Sequence, residues 1–192
     1  MRSVRSVALA ALAFTVLGAS VASAQQRRPA QRSTAEGYWE LGTDAALLFG
    51  LDDPSTTQLS IPIGSVRAGY FLTPEWSIEP FFSFDYASID GVGSGTDYQI
   101  GAGALYHFST ARTQSQLYVR PFFALVGSSF NPDGPGGGAS ESDPMLGGGF
   151  GIKWPKLGGR MALRGEANVG FMLGENDQTF LGALFGVSFY TR

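Results

Sequence analysis

Six charged side chains stand where this chain alternates between apolar and polar positions: Glu40, Arg67, Glu79, Arg120, Arg164 and Glu166. Three carboxylates and three guanidiniums suit one another, because the guanidinium fork matches a carboxylate with two parallel hydrogen bonds. Held away from water, such groups must pair or change their protonation. The chemistry they offer is an ionic network, acting as a structural plug or as a gate or selectivity element. A second combination is His107 with Ser109, a base and a hydroxyl two residues apart. They could serve a hydrolase if an acid oriented the imidazole. The plainer reading of His107, a satisfied histidine in an interior or at a rim, is the preferred one.

Other chemistries find little support. There is one histidine and no cysteine, so a histidine-rich metal site and thiolate chemistry are excluded. The stretch GPGGGAS (134–140) lacks the Lys-Ser/Thr of a phosphate loop, and it reads as a flexible external loop. Asp52-Asp53 and Glu141-x-Asp143 are too sparse for a calcium loop and read as solvated charge, free to sit among cation-bridged phosphates. A net charge of -3 argues against nucleic acid as a partner. No catalytic residue, cofactor or metal is expected.

The elements that must position these groups are strands. From Tyr38 onward the hydropathy period is two, interrupted by turn-rich gaps. Eight segments follow, at roughly 38–49, 58–72, 76–88, 97–108, 116–130, 145–154, 160–171 and 178–190. They are long for a soluble sheet, and a tilted strand needs about 9–11 residues to cross a bilayer.

Their faces sort consistently. In WSIEPFFSFDYAS (76–88) one parity holds Trp76, Ile78, Pro80, Phe82, Phe84 and Tyr86; the other holds Ser77, Glu79, Phe81, Ser83 and Asp85. Elsewhere the small and charged face carries Glu40, Gly42 and Asp44, then Gln99, Gly101 and Gly103, then Gly147, Gly149, Gly151 and Lys153, then Arg164, Glu166 and Asn168. Glycine weakens a water-facing strand, but inside a narrow barrel it leaves room for long polar chains. The bulky face then meets lipid, and a sheet in lipid must close on itself. Eight strands close a barrel whose interior is just filled by side chains. The competing reading is a soluble lipocalin-like barrel with the rings turned inward. The second segment keeps its sidedness only with a slip near Gly64, where a bulge is expected beside Pro62.

Arg2, Arg5, the apolar run Val7 to Leu17 and Ala22-Ser23-Ala24 read as a secretory signal peptide over 1–24, cut before Gln25. Residues 25–37 read as a flexible basic periplasmic lead-in, and 38–190 as the barrel domain. The gaps alternate between short ones (TPE, STARTQSQ, PKLGGR) and long acidic ones. The long set, with its strand margins, holds Asp52, Asp53, Asp90, Asp97, Asp133, Glu141, Asp143, Glu175 and Asp177, with no Lys or Arg. Short turns face the periplasm in outer-membrane barrels and long loops face outward. Trp39, Tyr70, Trp76, Tyr106 and Trp154 gather at the short-turn end, as an interfacial aromatic girdle would.

These features resemble the small eight-stranded outer-membrane barrels of the OmpA/OmpX type. The resemblance rests on the signal peptide, SVRAGYFLTPEWSIEPFFSFDY (65–86), GAGALYHF (101–108), VRPFFALVG (119–127) and LFGVSFY (184–190), and covers about residues 38–190. It implies a closed, antiparallel, all-β transmembrane barrel with an up-and-down meander, lodged in the outer membrane of a Gram-negative bacterium. It also implies partners: outer-membrane lipids and lipopolysaccharide, the insertion machinery and periplasmic chaperones. Such barrels end on an aromatic residue, whereas this chain continues past Phe189 with Tyr190, Thr191 and Arg192. The expected function is a non-enzymatic structural or surface-interaction role with a plugged lumen. The alternatives are a narrow porin-like path for small or apolar solutes and a lipid-modifying enzyme.

Overall fold

Backbone groups surrounded by hydrocarbon have no water to bond, so strands placed there must find partners on both sides. The computed structural model describes residues 37–51, 57–89, 93–111, 113–132, 138–174 and 178–191, and within them this demand is met by closure. Eight strands run in order: β1 (Trp39–Gly50), β2 (Thr57–Phe71), β3 (Trp76–Ile89), β4 (Gly93–His107), β5 (Gln116–Pro132), β6 (Ala139–Lys156), β7 (Met161–Met172) and β8 (Gln178–Thr191). Each is antiparallel to the next, and β8 returns to β1 from Trp39↔Thr191 to Gly50↔Phe180. The result is a closed up-and-down barrel with no crossover. The expected signal peptide at 1–24, almost all of the 25–37 lead-in and the centres of the long connections lie outside the described residues.

Three strands run longer than their hydropathy suggests. β4 starts at Gly93, β5 continues to Pro132 and β6 starts at Ala139. Pairing persists at these ends, with Gly93 opposite Pro132 and Phe130 opposite Ala139. Ladder hydrogen bonds need only backbone, so the hairpins go on where both faces have become polar and the alternation fades. At the other end β6 and β7 meet in a tight turn over Leu157–Gly159, where Gly158 and Gly159 take φ of 65° and 85°. That left-handed backbone favours glycine.

The slip in β2 is present in the register. Asp44 pairs with Ser65, yet Ala46 pairs with Ser60. β2 therefore spends three more residues than β1 over this interval, which contains Pro62 and Gly64. An odd number of extra residues exchanges the two parities, which is why Leu59 and Ile61 fall out of step with Val66 and Ala68 in the sequence.

The two faces sort by solvent. Outside, Phe84 is 57% exposed, Ile100 53% and Phe185 64%, within a continuous set of exposed rings and aliphatics. Inside, Glu40, Asp44, Glu79 and Lys153 are at most 1% exposed. This sidedness rules out the soluble alternative, in which the rings would have packed inward. A closed sheet with so large an apolar exterior has lipid as its outer solvent.

Glycine makes the interior possible by lending its volume to neighbours. A Cβ on Gly42 would stand 2.5 Å from the Arg67 guanidinium carbon, and one on Gly149 would stand 2.5 Å from Glu166 Oε1. Gly148 points the other way, with nothing within 4 Å of such a carbon. Gly149→Ala should therefore cost about 1–3 kcal/mol by overpacking, while Gly148→Ala should leave stability unchanged or slightly raised. Urea unfolding of the two variants in lipid or detergent reads this difference directly.

Candidate functional site

The inward parity of seven strands converges on one ionic cluster. Its first centre is Arg67 on β2. Arg67 Nε donates to Asp44 Oδ2 at 2.8 Å, and Nη1 donates to Glu40 Oε1 at 2.8 Å and to Glu79 Oε2 at 3.1 Å. Nη2 donates to Ser188 Oγ on β8 at 2.8 Å. One guanidinium thus ties β1, β2, β3 and β8 together.

The second centre is Arg164 on β7. Its Nη1 donates to both oxygens of Glu79, at 2.9 and 2.8 Å, and its Nη2 reaches Glu166 Oε2 at 2.5 Å. Nε donates to the Tyr118 hydroxyl at 2.6 Å, and that hydroxyl donates onward to Glu166 Oε2 at 2.7 Å. Arg120 on β5 holds the other Glu166 oxygen, at 3.0 Å from Nε and 2.5 Å from Nη2. Lys153 on β6 donates to Glu40 Oε2 at 2.6 Å. β6 is not a neighbour of β1 in the sheet, so this bond spans the lumen.

Charge is balanced in the cluster. Four carboxylates (Glu40, Asp44, Glu79, Glu166) face four cations (Arg67, Arg120, Lys153, Arg164), and all pair with one another. Taking each ion out of water costs several kcal/mol, and mutual attraction offsets this only when geometry and hydrogen bonding are nearly complete. The aromatic lining adds to the fit: Arg164 lies 5.0 Å from the centre of the Tyr118 ring and Arg120 lies 4.9 Å from that of Phe122. Such contacts favour cations over ring faces.

All six residues singled out from the sequence sit in this cluster, and their contacts do not simply follow the strand register. Arg67 stands opposite Phe81, with Glu79 two residues away along β3, so their contact is diagonal. Arg120 engages Glu166 closely and Glu79 only at 4.0 Å. Asp44, Lys153, Tyr118 and Ser188 join as further members. Asp44 and Lys153 were visible on the inward parity; what the parity does not tell is which chains meet across the lumen.

His107 has a different partner from the one its spacing suggests. The ring is 1% exposed, with Nε2 at 3.1 Å from Ser77 Oγ and a stacked Phe71 ring 5.1 Å away. Its Nδ1 has no hydrogen-bond partner among the described residues, so no acid orients the imidazole. Ser109 instead offers its backbone carbonyl to Gln116 Nε2 at 3.2 Å.

The aromatic set gathers at the same short-turn end. Trp39 pairs with Tyr70 and Trp76 with Tyr106 across neighbouring strands, each with ring centres 5.1 Å apart. Trp39, Trp76 and Trp154 are exposed, at 47%, 46% and 40%.

Removing Arg67 would leave Asp44 without a cation and take one of two or more cationic partners from each of Glu40 and Glu79. Arg67→Ala should lower unfolding stability by about 3–5 kcal/mol. Adding Glu79→Ala should recover part of that loss, with a coupling of about 0.5–3 kcal/mol in the double-mutant cycle. Strictly additive losses would reject the coupling.

No protein-family model and no curated protein matches the chain. Solved structures do. Neisserial surface protein A aligns with a TM-score of 0.59 and 18% identity, over 80% of this chain and 99% of that one. Ail, the attachment invasion locus protein of Yersinia pestis, aligns with a TM-score of 0.54 and 16% identity, over 81% and 99%. The same Ail protein in complex with the heparin analogue sucrose octasulfate gives 0.53 and 14%, over 81% and 99%. Identities this low speak to architecture alone, and the architecture agrees with the strand count, the closure and the apolar exterior. By its fold this chain is a small eight-stranded β-barrel of the outer-membrane type.

Proposed function

We propose that the chain is an integral outer-membrane barrel, closed to solutes by its ionic cluster, with a non-enzymatic structural or surface-facing role in the bacterial envelope. The observation that carries this reading is the unbroken ion-pair path from Glu40 and Lys153 through Arg67 and Glu79 to Arg164, Glu166 and Arg120. An eight-stranded interior has width for side chains and little more, and here those side chains are bonded across it. The short turns at the tryptophan end support a periplasmic placement of that end. Lipid and lipopolysaccharide then surround the barrel, and the acidic long connections face outward.

The surroundings of His107 give the lipid-modifying alternative little support, because its bonded hydroxyl belongs to Ser77 and both are buried. A polyanion such as the one bound to the Yersinia barrel suits this chain poorly. Its long connections and their margins hold nine acids and no Lys or Arg.

Planar-bilayer recording tests the reading. The wild-type barrel should give no steady single-channel current, and a variant that opens the cluster, Arg120→Ala with Glu166→Ala, should give small irregular openings. Steady currents from the wild type would reject the plug and favour a transport role.

A further inference from the structure

Between the ionic cluster and the long-connection end, the lumen holds a cavity of about 180 Å³. An engineered apolar cavity of roughly 150 Å³ accommodates benzene, so this space suits a molecule of about that size. Its walls are largely apolar, with Leu48, Phe122, Val126, Met145 and Leu184 among them.

The charges around it do not cancel. Arg67 and Arg120 line the inner end, but both guanidiniums are bonded to carboxylates of the cluster. Asp85 and Asp97 also line the cavity, and they stand directly opposite each other across β3 and β4. Like charges so placed repel, and neither has an ion-pair partner among the described residues. At the inner end Asp44 is 1% exposed and lines the same cavity. One of its oxygens, Oδ1, has no hydrogen-bond partner among the described residues.

A space with greasy walls, two facing carboxylates and a buried, half-satisfied third calls for one kind of occupant. From this geometry we infer that the outer half of the lumen binds a small organic cation, an ammonium group on an apolar body of benzene size. The ammonium relieves the repulsion between Asp85 and Asp97, and the body displaces water from the apolar wall. An organic anion would meet two uncompensated carboxylates, and a neutral molecule would leave their repulsion in place. A bare metal ion would leave the apolar wall unused, and among the described residues no three metal-ligating side chains converge.

Fluorine NMR with 4-fluorobenzylamine as the probe tests this on the purified barrel in zwitterionic micelles. Saturable binding at one site is expected. Asp85→Asn with Asp97→Asn should weaken it at least tenfold, and so should Leu184→Trp, which fills the apolar part and keeps both acids. Uncharged 4-fluorobenzyl alcohol should bind at least tenfold more weakly. Heat-shifted gel mobility confirms that each variant is folded, and either variant alone suffices for the comparison. Non-saturable partitioning, equal binding by a folded variant, or calcium binding without amine binding overturns the inference.

Discussion

Everything in this barrel answers to one constraint: ions placed where water is scarce must satisfy one another. Arg67 meets three carboxylates and a serine hydroxyl; Arg164 meets two carboxylates and a tyrosine hydroxyl. Each of the four negative and four positive groups has a partner of opposite charge within the lumen. Lipid outside forces the sheet to close, closure at eight strands makes the lumen narrow, and narrowness brings side chains from opposite walls into bonding range. Lys153 reaching Glu40 is the clearest instance, since their strands are not neighbours. The cluster is not a simple source of stability, because the same desolvation that strengthens the pairs penalises the ions. Its effect is specificity of arrangement: a strand displaced by one residue would turn its ion toward lipid.

Glycine and charge are two halves of the same packing solution. Gly42 lies beneath Arg67 and Gly149 beneath Glu166. Long polar chains lie flat over positions that have no side chain, and the lumen fills without clash. The opposite arrangement operates on the outer face, where rings stand beside rings, as with Trp39 and Tyr70. Above the cluster this logic is relaxed. There the wall turns apolar, Asp85 and Asp97 face each other, and space is left over.

Much of this was legible in the sequence, and the reasons are physical. Strand existence and sidedness follow from a period of two that persists over eight segments, and even the parity change in β2 appears as Leu59 and Ile61 against Val66 and Ala68. Six of the eight ions of the cluster could be named because few charges fall inside the alternating segments, and each falls on the small-residue face. Strand ends were less legible. Gly93 and Ala139 open strands whose outer turns are polar on both sides, so hydropathy carries no signal there. Contacts across the lumen were the least legible, because they depend on which strands face one another after closure. That is why the partners of Asp44 and Lys153, and the parts played by Tyr118 and Ser188, emerge only in three dimensions, and why His107 is found bonded to Ser77 on the neighbouring β3 and not to Ser109 just past the end of β4.

The sidedness of the wall underlies all of this, and quenching by brominated lipid chains measures it most directly. With Trp39, Trp76 and Trp154 replaced by phenylalanine, a single tryptophan is introduced at Phe82, Ile100, Phe185 or Phe122. Strong quenching at the first three positions and weak quenching at Phe122 is the expected pattern. Strong quenching at Phe122 with protection at Ile100 and Phe185 would mean that the rings face inward, and the account would be wrong at its root.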